Sequence, residues 1–147
     1  MYSDLYSQSK TWTLSLSDPW MGYMKSGHKV YEGRLFRGLP RYFKVGDRIE
    51  FYPDEGTEDR PVTMIITSMN RYQTFRESLE KLPISEVLPN VKTVDEGEKI
   101  YFQYASKDSQ TKWGVCQIGV SLFSVKSLPR CILDKIKGGN YKGNAPQ

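Results

Sequence analysis

Short stretches in which apolar and polar residues alternate, broken every few residues by glycine or proline, restrict this chain's fold more than any other feature. The longest regular run, Pro61–Tyr72 (PVTMIITSMNRY), is rich in β-branched residues. Thr11–Ser17 (TWTLSLS) sets Trp12, Leu14 and Leu16 against Thr and Ser, the period-two pattern of a half-buried strand. His28–Phe36, interrupted at Gly33, Arg48–Tyr52 (RIEFY) and Lys112–Phe123 (KWGVCQIGVSLF) supply further strands. Between them lie helical signals. Asp18 as N-cap and Pro19 in the first turn open a short helix with Trp20, Tyr23 and Met24 on one face, and Ser26-Gly27 stops it. Thr74 and Glu77 have the spacing of a capping box at the head of Thr74–Lys81. Pro83 and Pro89 bracket Ile84–Leu88, and Asp95–Ala105 suits either a strand or a short helix. Five or six short strands with helices at their ends predict an α+β fold, a small mixed β-barrel with short flanking helices, rather than a parallel sheet.

The turns are equally regular. Gly38-Leu39-Pro40 reverses the chain, Lys44-Val45-Gly46-Asp47 is a tight turn feeding Arg48–Tyr52, and Pro53–Arg60 is an acidic loop. Residues 1–10 read as a flexible polar leader, and residues 123–147 as a basic extension. Within that extension Pro129–Lys137 suggests a last helical turn, and the end is expected to be disordered. A length of 147 residues suits one domain. No stretch approaches the roughly 20 apolar residues that span a bilayer, and MYSDLYSQSK has no apolar signal region. The expectation is an intracellular protein, cytoplasmic or nuclear, without membrane contact. Cys116, Cys131 and the single His28 lack metal-ligand spacing, so no metal and no cofactor is expected, and both thiols are taken as free.

Charge is uneven. Met24–Glu50 holds seven basic against three acidic residues, and Ser121–Gln147 five against one, a net +4 in each. If the two segments converged they would form a phosphate-attracting face. In the first segment, alternation along the strand puts Lys29, Tyr31 and Gly33 on one face and Val30, Glu32 and Arg34 on the other. Glu32 and Arg34 are thus near enough to pair, with Lys29 just above them, a group that can fix a polar base edge or a phosphate. The pair suits a buried structural ion pair as well as it suits ligand binding. Lys29 is expected to be a wet cleft cation whose removal weakens binding but leaves the melting temperature nearly unchanged. Arg41, Tyr31 and Tyr104 are further candidates for nucleic-acid contact, while Lys99 and Tyr101 are weaker ones. Trp20 reads first as core, and His28 as an exposed turn residue.

GHKVYEGR (Gly27–Arg34) resembles the G-x-K-x-x-E-x-R box of the ASCH domain family, in the PUA-like superfamily, and KVGDRIEF (Lys44–Phe51) resembles its turn and strand. FRESLEK with VLP, and WGVCQIGV near the end, are similar to its helix, proline turn and closing strand, so the resemblance covers about residues 11–122. It implies a PUA-like barrel with a cleft beside the first helix, an association with RNA, and a helix for Asp95–Ala105. In certain small bacterial members the site is a Lys in this box with a Thr nucleophile three positions on, which hydrolyses the amide of N4-acetylcytidine. Lys29 matches that Lys, but Glu32 stands at the nucleophile's place, and a carboxylate is a poor amide nucleophile, so that mechanism does not transfer. The expected function is RNA or nucleoside binding (single-stranded RNA or a modified nucleotide) through Lys29, Glu32, Arg34 and Arg41. One alternative is a hydrolase, ribonuclease or amidohydrolase, using Lys29 with Glu32. The other is a protein-interaction module. Oligomeric state is not legible.

Overall fold

Strand β4 (Val62–Tyr72) organises the chain in a computed structural model that describes residues 9–54 and 60–123. It pairs antiparallel with β3 (Arg48–Pro53) on one side and with β5 (Val115–Leu122) on the other. Beyond β3 lies β1 (Thr11–Leu16), parallel to it, and beyond β5 lies β2 (Tyr31–Leu35), antiparallel. The order β1-β3-β4-β5-β2 makes one mixed sheet, curled into a half-barrel. The expected α+β architecture is therefore present, with a seam left open between the edge strands β1 and β2.

The side chains of β5 show how two cores share one sheet. Cys116, Ile118 and Val120 alternate onto the inner face, among Ile49, Phe51, Met64 and Ile66. Val115 points the other way, toward Phe75, Leu79, Val87, Leu88 and Tyr101. Met21 and Met24 of α1 (Trp20–Lys25) join the inner cluster. The outer one is covered by α2 (Phe75–Lys81), α3 (Ile84–Val87) and α4 (Val94–Tyr101), followed by α5 (Lys107–Trp113). Among the described residues no helix is long and apolar enough to cross a membrane.

The KVGDRI turn has a physical explanation. Gly46 takes a φ of 96°, which favours glycine. The buried Asp47 carboxylate then accepts the N–H groups of Lys10 (3.1 Å), Lys44 (3.1 Å) and Trp12 Nε1 (2.9 Å), tying β1 to the turn. Thr74 caps α2 as expected, accepting from Glu77 N–H at 3.0 Å, while Glu77 reaches back one residue further, to Gln73 N–H at 2.9 Å. Asp95–Ala105 is largely helical.

Three expectations need correction. Asp18 does not cap α1. Pro19, whose side chain has no acceptor, occupies the cap position, and backbone Ser17 O takes the N–H of Met21 in the first turn at 3.1 Å. Lys112 and Trp113 end α5 rather than begin the last strand. Ser106 caps that helix, and Gly114, at a φ of 72°, turns the chain into β5. The second strand is shorter than His28–Phe36, leaving Lys29 outside it. The last helical turn, the C-terminal extension, Cys131 and the acids Glu55, Glu58 and Asp59 lie outside the described residues, as does any convergence of the two basic segments.

Candidate functional site

The open seam holds a cavity of about 390 Å³, at the lower end of the roughly 300–1,000 Å³ of ligand sites. Ser15 of β1 and Glu32, Gly33 and Arg34 of β2 form its two banks, Trp20 its shoulder, and Phe75, Tyr101 and Tyr104 its helical wall. Arg34 bridges the banks. Its Nε donates to Glu32 Oε2 at 2.7 Å, and its Nη2 donates across the seam to Ser15 O at 2.5 Å.

Lys29 does not obey the strand alternation, because it precedes β2. It is 1% exposed, and its Nζ stands 3.4 Å from Glu32 Oε1. The same ammonium donates to Tyr31 O at 2.5 Å and to Val87 O of α3, and lies 5.8 Å from the Trp20 ring centroid. An ammonium has three donors, and all three find acceptors inside the chain. Burial pulls its pKa below the ordinary lysine range, and Glu32 works against that shift. The expectation of a wet Lys29 is thus corrected: it lines the cavity as a buried staple between β2 and α3. Glu32 has a cation on each oxygen but keeps a second lone pair on each, free to accept a ligand N–H.

The opposite wall has its own logic, and it explains Gly33. A Cβ there would come within 2.6 Å of both Gln117 Nε2 and Tyr101 Oη, and 2.9 Å of Tyr101 Cε1. Tyr101 is stacked on Phe75, centroids 4.2 Å apart and 10° between planes, so it has little room to retreat. Gln117 Nε2 donates to Ser78 Oγ (3.0 Å) and to Tyr101 Oη (3.2 Å), and Ser78 in turn donates to Phe75 O (2.7 Å). Tyr101 Oη is therefore the acceptor in that bond. No hydrogen bond donated by Tyr101 Oη is found among the described residues, and Gln117 Oε1, on the same amide, is buried without a partner there. Burial pushes the phenol well above the ordinary tyrosine range, so it stays a donor at all ordinary pH. Gly33→Ala should cost about 1–3 kcal/mol through overpacking. Thermal denaturation measures this, and a change under roughly 0.5 kcal/mol, the size of a neutral surface substitution, would contradict the packing argument.

Of the other sequence candidates, Tyr104 sits at the cavity mouth, 64% exposed, with Oη 3.3 Å from Ser17 Oγ. Trp20 is half-buried and serves both core and cavity. Arg41 is exposed and not among the lining residues, while Arg37, not singled out by sequence, is. Tyr31 packs into the helical cluster instead, and His28 is exposed, its Nδ1 2.6 Å from Ser26 Oγ, away from the seam. Among the described residues no cluster of His, Cys, Asp or Glu offers a metal site. Cys116 is buried, and desolvation pushes its thiol up to about 12, which keeps it unreactive.

The chain is similar to several solved structures. The crystal structure of the hypothetical protein PH0355 is 34% identical, with a TM-score of 0.69, over 77% of this chain and 99% of that one. The solution structure of PF0455 from Pyrococcus furiosus is 31% identical, with a TM-score of 0.63, over 78% and 98%. A ZmASCH variant from Zymomonas mobilis shares the fold at 15% identity and a TM-score of 0.52, over 92% of this chain and 82% of that one. No family model and no curated protein matches the chain.

Proposed function

Because the chain belongs to the same family as PH0355 and PF0455 and has the ASCH-domain fold of the PUA-like superfamily, we propose that it binds RNA or a nucleoside, holding one base in the seam cavity. The observation that carries this reading is the pairing, in one cavity, of an acceptor and a donor between aromatic rings. Glu32 offers free carboxylate lone pairs, Tyr101 offers an unspent O–H, and Trp20, Phe75 and Tyr104 supply flat apolar walls. A nucleobase edge carries N–H donors beside carbonyl or ring-nitrogen acceptors, so it complements both polar groups, and its ring suits the walls. Lys29, Arg34 and Arg37 against Glu32 and Asp54 leave the cavity lining one net positive charge, which favours the attached phosphate.

Glu32 is better suited to recognition than to hydrolysis, because both of its oxygens are already engaged by cations. The test is an anisotropy titration of a single-stranded RNA from low to moderate salt. Binding should weaken steadily as salt rises, with a log–log slope of about 0.7 per neutralised phosphate. A flat response, or no binding at low salt, would remove the RNA reading.

A further inference from the structure

Resting on that reading, we infer that the loop Arg37–Val45 is a second nucleotide subsite at the cavity rim. It would take the base and phosphate adjoining the one in the seam, so that the ligand is a nucleotide within a single strand rather than a free nucleoside. The loop touches the cavity directly, since Arg37 and Pro40 line it. Two residues past Pro40, Tyr42 is 59% exposed, and the Arg41 guanidinium lies 5.7 Å from its ring centroid.

This exposure is held in place by the local structure. Leu39–Tyr42 is a single 3₁₀ turn, opened by Gly38 at a φ of 65°. Pro40 and Phe43 are buried, and the Phe43 ring packs 5.3 Å from Trp12. Arg41 N–H donates to Gly38 O at 3.2 Å and Phe43 N–H to Pro40 O at 3.3 Å, so inward anchors alternate with outward Arg41 and Tyr42. Tyr42 thus keeps more than half of its surface in solvent on a turn held by buried neighbours. Residues 37–45 also carry Arg37, Arg41 and Lys44 and no acidic side chain. An outward ring with Arg41 beside it, on a segment that carries further cations, is the arrangement on which single-stranded bases stack while their phosphates are neutralised.

The test compares the ribonucleoside that binds best with the trinucleotide carrying it at its centre, by calorimetry over a salt series. Wild type should bind the trinucleotide about tenfold or more tightly than the nucleoside, the effect of one added stacked base. Tyr42→Ala should remove most of that gain and leave nucleoside affinity unchanged. Arg41→Ala should reduce the salt slope for the trinucleotide by about one. Equal affinity for the two ligands in wild type overturns the proposal. So does a Tyr42→Ala variant that weakens both ligands alike or neither. If neither ligand binds wild type, the seam reading falls together with the rim. If the trinucleotide binds and responds to Tyr42→Ala but not to Tyr104→Ala, the rim stands and the seam alone is refuted.

Discussion

Lys29→Met is expected to lower the stability of the fold by about 3–5 kcal/mol, the range seen when one partner of a buried ion pair is removed. The ammonium is 1% exposed and satisfies Tyr31 O, Val87 O and one oxygen of Glu32 at once. Without it two backbone carbonyls lose their donor, and Glu32 keeps only Arg34. Glu32→Gln should cost a similar amount for the converse reason: it leaves a buried ammonium without its counter-charge. The double variant Lys29→Met/Glu32→Gln should recover the part of the loss due to unpaired charge, because Arg34 is 28% exposed and can turn to water, but not the part due to Tyr31 O and Val87 O. Urea denaturation of the three variants measures these effects. Single changes within about 1 kcal/mol of wild type, as for exposed ion pairs, would show that the group is wet.

Tyr104→Ala should separate binding from folding. Its ring stands at the mouth of the seam and is mostly in solvent, so its loss should move the melting temperature little. As a stacking wall it should contribute about 1–3 kcal/mol to base binding, roughly 5- to 150-fold in affinity. Tyr104→Phe keeps the wall and loses only the contact with Ser17, so it should retain most of the affinity. Calorimetry with a ribonucleoside checks both variants. Unchanged affinity in Tyr104→Ala would show that this ring does not face the bound base.

Much of this architecture is legible in the sequence, for local reasons. Period-two alternation marks Thr11–Leu16 and the run ending at Tyr72, and the Thr74/Glu77 spacing marks α2. Helix α5 escapes because KDSQTKW lacks an apolar stripe and is held by its Ser106 cap and by Gly114. The site divides in the same way. The pairing of Glu32 with Arg34 follows from their two-residue spacing on one strand. The burial of Lys29 does not, because its acceptor Val87 lies 58 residues away, on a helix that packs against β2 only in the folded chain. The Gly33 interruption is visible in the sequence, but the reason for it, Tyr101 closing over the strand, is a long-range contact. Arg41 looks like a cleft residue by charge alone, until the 3₁₀ turn directs it outward.

The central claim, that a base enters the seam between β1 and β2, is tested most directly by a ¹H–¹⁵N chemical-shift titration of the full chain with ribonucleosides. Saturable shifts should appear at the Trp20 indole, the Gly33 amide and the Arg34 side chain, and not at Arg48 or Ser121, which lie outside the cavity. No saturable shift at millimolar nucleoside, or shifts confined to residues outside the seam, would contradict it.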